Sequence, residues 1–95
     1  MLDVGLVLFA EVSLVRHGPD ELTLFERAIA NIPEVVEASH VTGAYDYLLK
    51  VVTADMAAWN EIAVKLTSAD IGVDRINTHV LMNKPKVFVG YPIVI

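Results

Sequence analysis

The sequence predicts an α+β sandwich, with four strands and two helices in β-α-β-β-α-β order and both helices on one face of the sheet. Three observations carry that expectation. Stretches of two-residue hydrophobic alternation and stretches of helical apolar spacing take turns along the chain. A short Gly43-Ala44 joint separates two β-patterned runs near the middle. Apolar residues make up 55% of only 95 residues, and a chain of that length holds one core rather than two.

The first strand is read over residues 4 to 15, VGLVLFAEVSLV. Leu6, Leu8, Ala10, Val12 and Leu14 point one way; Val7, Phe9, Ser13 and Val15 point the other, with Glu11 among them, so both faces call for cover. Gly18 then serves as N-cap and Pro19 as first residue of a helix, with Asp20 and Glu21 in its positive first turn. Its inner stripe is Leu22, Phe25, Ile29 and Ile32; it runs to about Asn31, and Pro33 stops it. Residues 34 to 42 and 45 to 53 form a hairpin of two strands around Gly43-Ala44. Asp55 caps a second helix reaching about Ala69, which buries Met56, Trp59, Ile62, Ala63 and Leu66. After a break at Ile71-Gly72-Val73 the fourth strand occupies residues 74 to 82. The apolar tail that follows contains one more β-like run, Val87 to Val89. Pro85 and Pro92 place it on an edge or against a partner, as a C-terminal tail strand.

This order is the split βαβ pattern of ferredoxin-like folds, in which one sheet face is bare. A first strand that is apolar on both sides predicts that a second subunit covers it, giving a dimer through the sheets. Composition supports the same expectation independently, because a mean hydropathy of +0.53 is high for so small a body. The net charge of −5 and the scatter of seven Lys and Arg argue against direct nucleic-acid binding by this chain. The longest charge-free apolar stretch near the N-terminus, Val4 to Ala10, is too short to span a bilayer, so no membrane association is expected. With no cysteine and no secretory signal, the expected location is cytoplasmic.

The stretch Val41-Thr42-Gly43-Ala44-Tyr45-Asp46-Tyr47-Leu48-Leu49-Lys50-Val51, within Pro33 to Val52, resembles the ligand-sensing domain of the Lrp/AsnC regulators. That domain is also called RAM, for regulation of amino acid metabolism. Supporting similarity lies in Glu11-Val12-Ser13-Leu14 and in Ile76-Asn77-Thr78-His79-Val80-Leu81, and the likeness extends to about Lys86. The resemblance implies a single effector-binding and oligomerisation domain over residues 1–95, dimeric sheet-to-sheet and assembling into octamers or rings. It implies a small effector, typically an amino acid, bound between dimers near the hairpin turn, with no catalysis. Full-length regulators of the family are candidate partners. Members usually carry an N-terminal helix-turn-helix that binds DNA, and these residues cannot supply one, which makes the chain a stand-alone sensor domain or a fragment of a longer regulator. Ala44 stands where many members place a polar residue such as Asp.

The turn offers chemistry suited to a zwitterion. Gly43 permits a positive φ and leaves backbone N–H groups open to a carboxylate. Asp46 suits an ammonium, and Thr42 offers a hydroxyl to either group. The alternative is an ordinary turn in which Asp46 bonds to nearby backbone. Strand alternation puts Tyr45 and Tyr47 on one face and Asp46 on the other, as packing or ligand residues in either combination. His40, Ala44, Asn77 and His79 complete the candidate ligand-binding set, with Asn77 and Thr78 offered from a neighbouring subunit. His17, His40 and His79 lack metal-ligand spacing, and neither a metal nor a cofactor is expected. No elbow motif, P-loop or dinucleotide-type glycine cluster is present. The competing readings are a small dimeric α/β-barrel enzyme of the monooxygenase type, drawing on His40, Trp59, Asn77 and His79, and a ligand-independent oligomerisation partner of full-length regulators.

Overall fold

A computed structural model describes residues 5–69 and 71–92. The expected strand position of Val4 and the last three residues of the tail, 93–95, lie outside these. The elements run β1 (Leu6–Leu14), α1 (Pro19–Ala30), β2 (Val35–His40), β3 (Tyr47–Thr53), α2 (Met56–Ser68) and β4 (Val73–Val80). All strand pairs are antiparallel and the sheet order is β2-β3-β1-β4. Every strand pairing that the split pattern requires is therefore made inside one sheet.

The helices start and stop for local reasons. Gly18 is extended (φ −69°, ψ 162°) at the head of α1, with Pro19 as the first helical residue and two acids in the first turn. Asp55 caps α2 through a carboxylate that accepts from Ala58 N–H at 2.9 Å. Both helices turn their apolar stripe to the same sheet face. There Phe25 and Ile29 of α1, and Trp59, Ile62 and Leu66 of α2, meet Leu8, Ala10, Val12 and Leu14 of β1 and Tyr47, Leu49 and Val51 of β3. Trp59, the single tryptophan, is buried, and its indole N–H donates to Thr78 Oγ1 at 2.9 Å. That bond removes the cost of an unpaired donor in the core.

The opposite face carries Val7, Phe9, Glu11 and Ser13 of β1, beside Leu48, Lys50 and Val52 of β3 and Arg75, Asn77 and His79 of β4. An apolar centre is thus ringed by polar groups, with His79 Nε2 lying 3.1 Å from Glu11 Oε2.

Four expectations need correction. Met56 is 39% exposed, because the first residue after the Asp55 cap overhangs the end of the core. The hairpin strands are shorter than read, and residues 41–46 form a six-residue connection. The cause is that Asp46 N–H donates to Val12 O, which draws the segment onto β1. Tyr45 consequently sits in that connection and does not share a strand face with Tyr47. Finally, Val87 to Val89 forms no strand with the described residues of this chain, so of its two expected places the edge of the chain's own sheet is excluded. Among the described residues, Leu81 alone prolongs the β4 ladder, through its N–H to Val7 O, before the tail leaves the sheet.

Candidate functional site

The connection between β2 and β3 is built by three bonds to its flanks. Val41 N–H donates to Asp46 O and Asp46 N–H to Val12 O, both at 2.9 Å. The Asp46 carboxylate then reaches the end of β1, where Oδ2 accepts from Leu14 N–H at 2.8 Å. His17 Nε2 lies 3.0 Å from that same oxygen; a carboxylate can only accept, so the imidazole donates. Asp46 is partly buried and His17 largely exposed.

Inside this frame the tip of the connection is open. Gly43 has φ 127°, a conformation costly to other residues, and space within 4 Å of its Cβ position is empty. No hydrogen bond among the described residues uses the N–H of Thr42, Gly43, Ala44 or Tyr45. Thr42, Gly43 and Ala44 are exposed and Tyr45 is half-buried. The arrangement can present several backbone donors to an anion, beside a carboxylate whose Oδ1 carries neither of the two bonds above.

Next to the tip, His40 ends β2 and stacks on Tyr47, with ring centroids 4.6 Å apart at 15°. Tyr47 is buried against Phe25 (4.8 Å between centroids) and its hydroxyl donates to Glu26 Oε2. Burial first, then the hydrogen bond and negative charge of Glu26, then the charge of Asp46, hold the Tyr47 phenol well above its ordinary pKa. A groove of about 420 Å³ opens between α1 and β2, lined by Glu26, Ile29, Val36, Glu37, Ala38 and His40 among others.

The structure therefore brings together His40, Thr42, Gly43, Ala44, Tyr45 and Asp46 at one end of the sheet. It does not bring Asn77 and His79 to them. Those two lie on β4, across β3 and β1 from β2, and face the open side, where Asn77 pairs opposite Glu11 and His79 opposite Phe9. The set His40, Trp59, Asn77 and His79 does not converge either, since Trp59 is packed on the other face of the sheet from Asn77 and His79. Among the described residues, no group of three His, Asp or Glu could hold a metal ion. Sequence reading missed His17 and Glu26 as partners of Asp46 and Tyr47. They lie 29 and 21 positions from those partners in the chain, and no periodicity links residues at such separations.

A two-helix, four-stranded antiparallel domain with an open, donor-rich turn between its edge and central strands defines a class of small ligand-binding modules. The chain belongs to the Lrp/AsnC ligand binding domain family, whose model matches residues 7–89. It is 34% identical over 85 residues to the leucine-responsive regulatory protein of Salmonella typhimurium, covering 90% of this chain and 52% of that protein. The chain thus spans about half the length of the curated relatives it matches. Among solved structures, it is similar to an AsnC family transcriptional regulator from Agrobacterium tumefaciens (TM-score 0.79, 27% identity, 97% of this chain and 63% of that one). It is also similar to the transcriptional regulator NMB0573 from Neisseria meningitidis, solved as an L-Met complex (TM-score 0.82, 26% identity, 97% and 62%).

Proposed function

We propose that residues 1–95 form one effector-binding and oligomerisation domain of a transcriptional regulator, which binds an amino acid at the tip of the β2–β3 connection and performs no catalysis. The observation that carries this reading is the run of open N–H groups from Thr42 to Tyr45 around a positive-φ glycine, next to the anchored carboxylate of Asp46. An α-carboxylate suits the first group and an α-ammonium the second. The L-Met complex of the similar Neisseria regulator supports an amino acid as the ligand class.

A ring of copies brings Asn77 or His79 of one subunit toward the turn of another, which a single chain does not do. DNA contact then belongs to other residues or to full-length regulators that assemble with this chain, and the site of action is the cytoplasm. No helix among the described residues is long and apolar enough to cross a membrane.

Isothermal titration of the assembled protein with the proteinogenic amino acids tests the proposal. Saturable binding of at least one at millimolar concentration or below is expected, and Gly43→Val should abolish it. Absence of binding across the series would overturn the ligand claim. One observation favours a second reading, a ligand-independent oligomerisation partner: Asp46 already has partners inside the chain. That reading predicts no binding together with co-purification of a full-length regulator.

A further inference from the structure

We propose that His17 is a positioning residue that couples effector binding to a proton: an amino acid at the turn drives the Nδ1 proton off the His17 imidazole, while its Nε2–H stays on Asp46. The inference rests on the amino acid reading of the turn and adds to it the residue that sets the charge of the site.

His17 is held where this can happen. Val15 N–H donates to Gly72 O at 2.8 Å and Pro19 already begins α1, so the loop between them is short and tied at both ends. From that loop Nε2 reaches Asp46 Oδ2 at 3.0 Å, the oxygen that also accepts from Leu14 N–H. The Nε2–H tautomer of neutral imidazole donates as the imidazolium does, so the bond that orients Asp46 outlasts the loss of charge. Nδ1 makes no hydrogen bond among the described residues. The side chain is 59% exposed, and the proton passes directly to water. Asp46 Oδ1 is left for the effector. An ammonium there and an imidazolium on Oδ2 would set two positive charges side by side on one carboxylate, where they repel.

The surrounding charges do not substitute for His17. Arg16 precedes it in the loop, Asp20 and Glu21 lie in the first turn of α1, and Asp74 and Arg75 begin β4, which pairs with the end of β1. Tyr47, next to Asp46, keeps its proton and donates it to Glu26. Residues of these types hold one charge between about pH 5 and 8, the range in which histidine changes its own. His40, the other histidine at this end of the sheet, stacks on Tyr47 instead of bonding to Asp46. Linkage fixes the sign: a ligand that expels a proton binds more tightly as protons become scarce, so affinity rises with pH across that range.

Calorimetric titration of the assembled protein tests this, first with L-methionine, the amino acid of the similar Neisseria complex, then with the other proteinogenic amino acids. Run at about pH 6.5 in MES and in Bis-Tris, buffers whose heats of ionisation differ, it counts protons. Wild type should release up to about one per site, and its affinity should rise roughly fivefold between about pH 5 and 8. His17→Gln keeps a donor in place of Nε2 and should bind without proton release and with a flat pH profile. His17→Ala, with no donor, should bind more weakly than His17→Gln at every pH. Wild-type binding without proton release, or equal release by His17→Gln, would overturn the proposal and leave the amino acid reading standing. Absence of binding by every amino acid would overturn both.

Discussion

The Asp46 carboxylate joins two segments that are remote in sequence, accepting from Leu14 N–H at the end of β1 and from His17 in the loop beyond it. In Asp46→Ala the Leu14 N–H is left partly buried without a partner, a loss of about 1–3 kcal/mol. Chemical denaturation should show that loss, and amide exchange at Leu14 should accelerate; unchanged exchange would mean the carboxylate does not hold the turn. Tyr47 makes a second such link, to Glu26 on α1. Its phenol is harder to ionise in the folded protein than in the unfolded chain, where the ordinary value is 10.0. Between the unfolded and folded values the native state holds the extra proton, so stability is complete below about pH 10 and falls as pH rises above it. Tyr47→Phe should flatten that alkaline decline while costing about 1 kcal/mol at neutral pH. An alkaline slope identical in wild type and variant would refute the assignment.

At the scale of elements, most of the architecture was readable because each helix carries its own punctuation. Gly18-Pro19 and Asp55 start the helices where their backbone requirements are met locally, and the stripes of Phe25 and Ile29 and of Trp59, Ile62 and Leu66 are buried as their spacing predicts. Asp55→Ala should remove the one side-chain cap of α2 and cost about 1 kcal/mol; thermal unfolding followed by the fluorescence of buried Trp59 would measure it, and an unshifted midpoint would count against the cap. Boundaries were less legible. The β2–β3 connection is longer than a Gly-Ala joint because β1 captures Asp46, and Met56 is exposed because it precedes Trp59, the first buried residue of α2. Neither outcome is encoded in the local pattern. Tyr45 and Tyr47 illustrate the consequence: alternation gave them one face, while the capture of Asp46 between them put only Tyr47 in a strand.

For the whole molecule, the open sheet face is the decisive surface. Phe9 and Val7 of β1, with Leu48 and Val52 of β3, form its apolar centre, and Glu11, Lys50 and His79 surround them. Our expectation is that this face packs on a second copy. Light scattering should then return a mass that is a multiple of 10.4 kDa, and Phe9→Asp, which would place an unpaired charge in the interface, should shift the protein toward the single-chain mass by at least about tenfold in dissociation constant. A wild-type protein that runs as one chain at micromolar concentration would contradict it. The candidate site depends on the same scale, because Asn77 and His79 can meet the turn at Thr42 to Asp46 only from another subunit.

Periodicity, caps and turn residues act over a few positions, so the chain alone determined the element order, the inner stripes, the ferredoxin-like class and, through Val41 to Val51, the family to which the domain belongs. The partners of Asp46 and Tyr47, the length of the connection they frame, and the separation of Asn77 and His79 from it were decided by tertiary structure. Each depends on which distant backbone and side-chain groups satisfy one another's hydrogen bonds once the sheet has closed, and no local pattern carries that information.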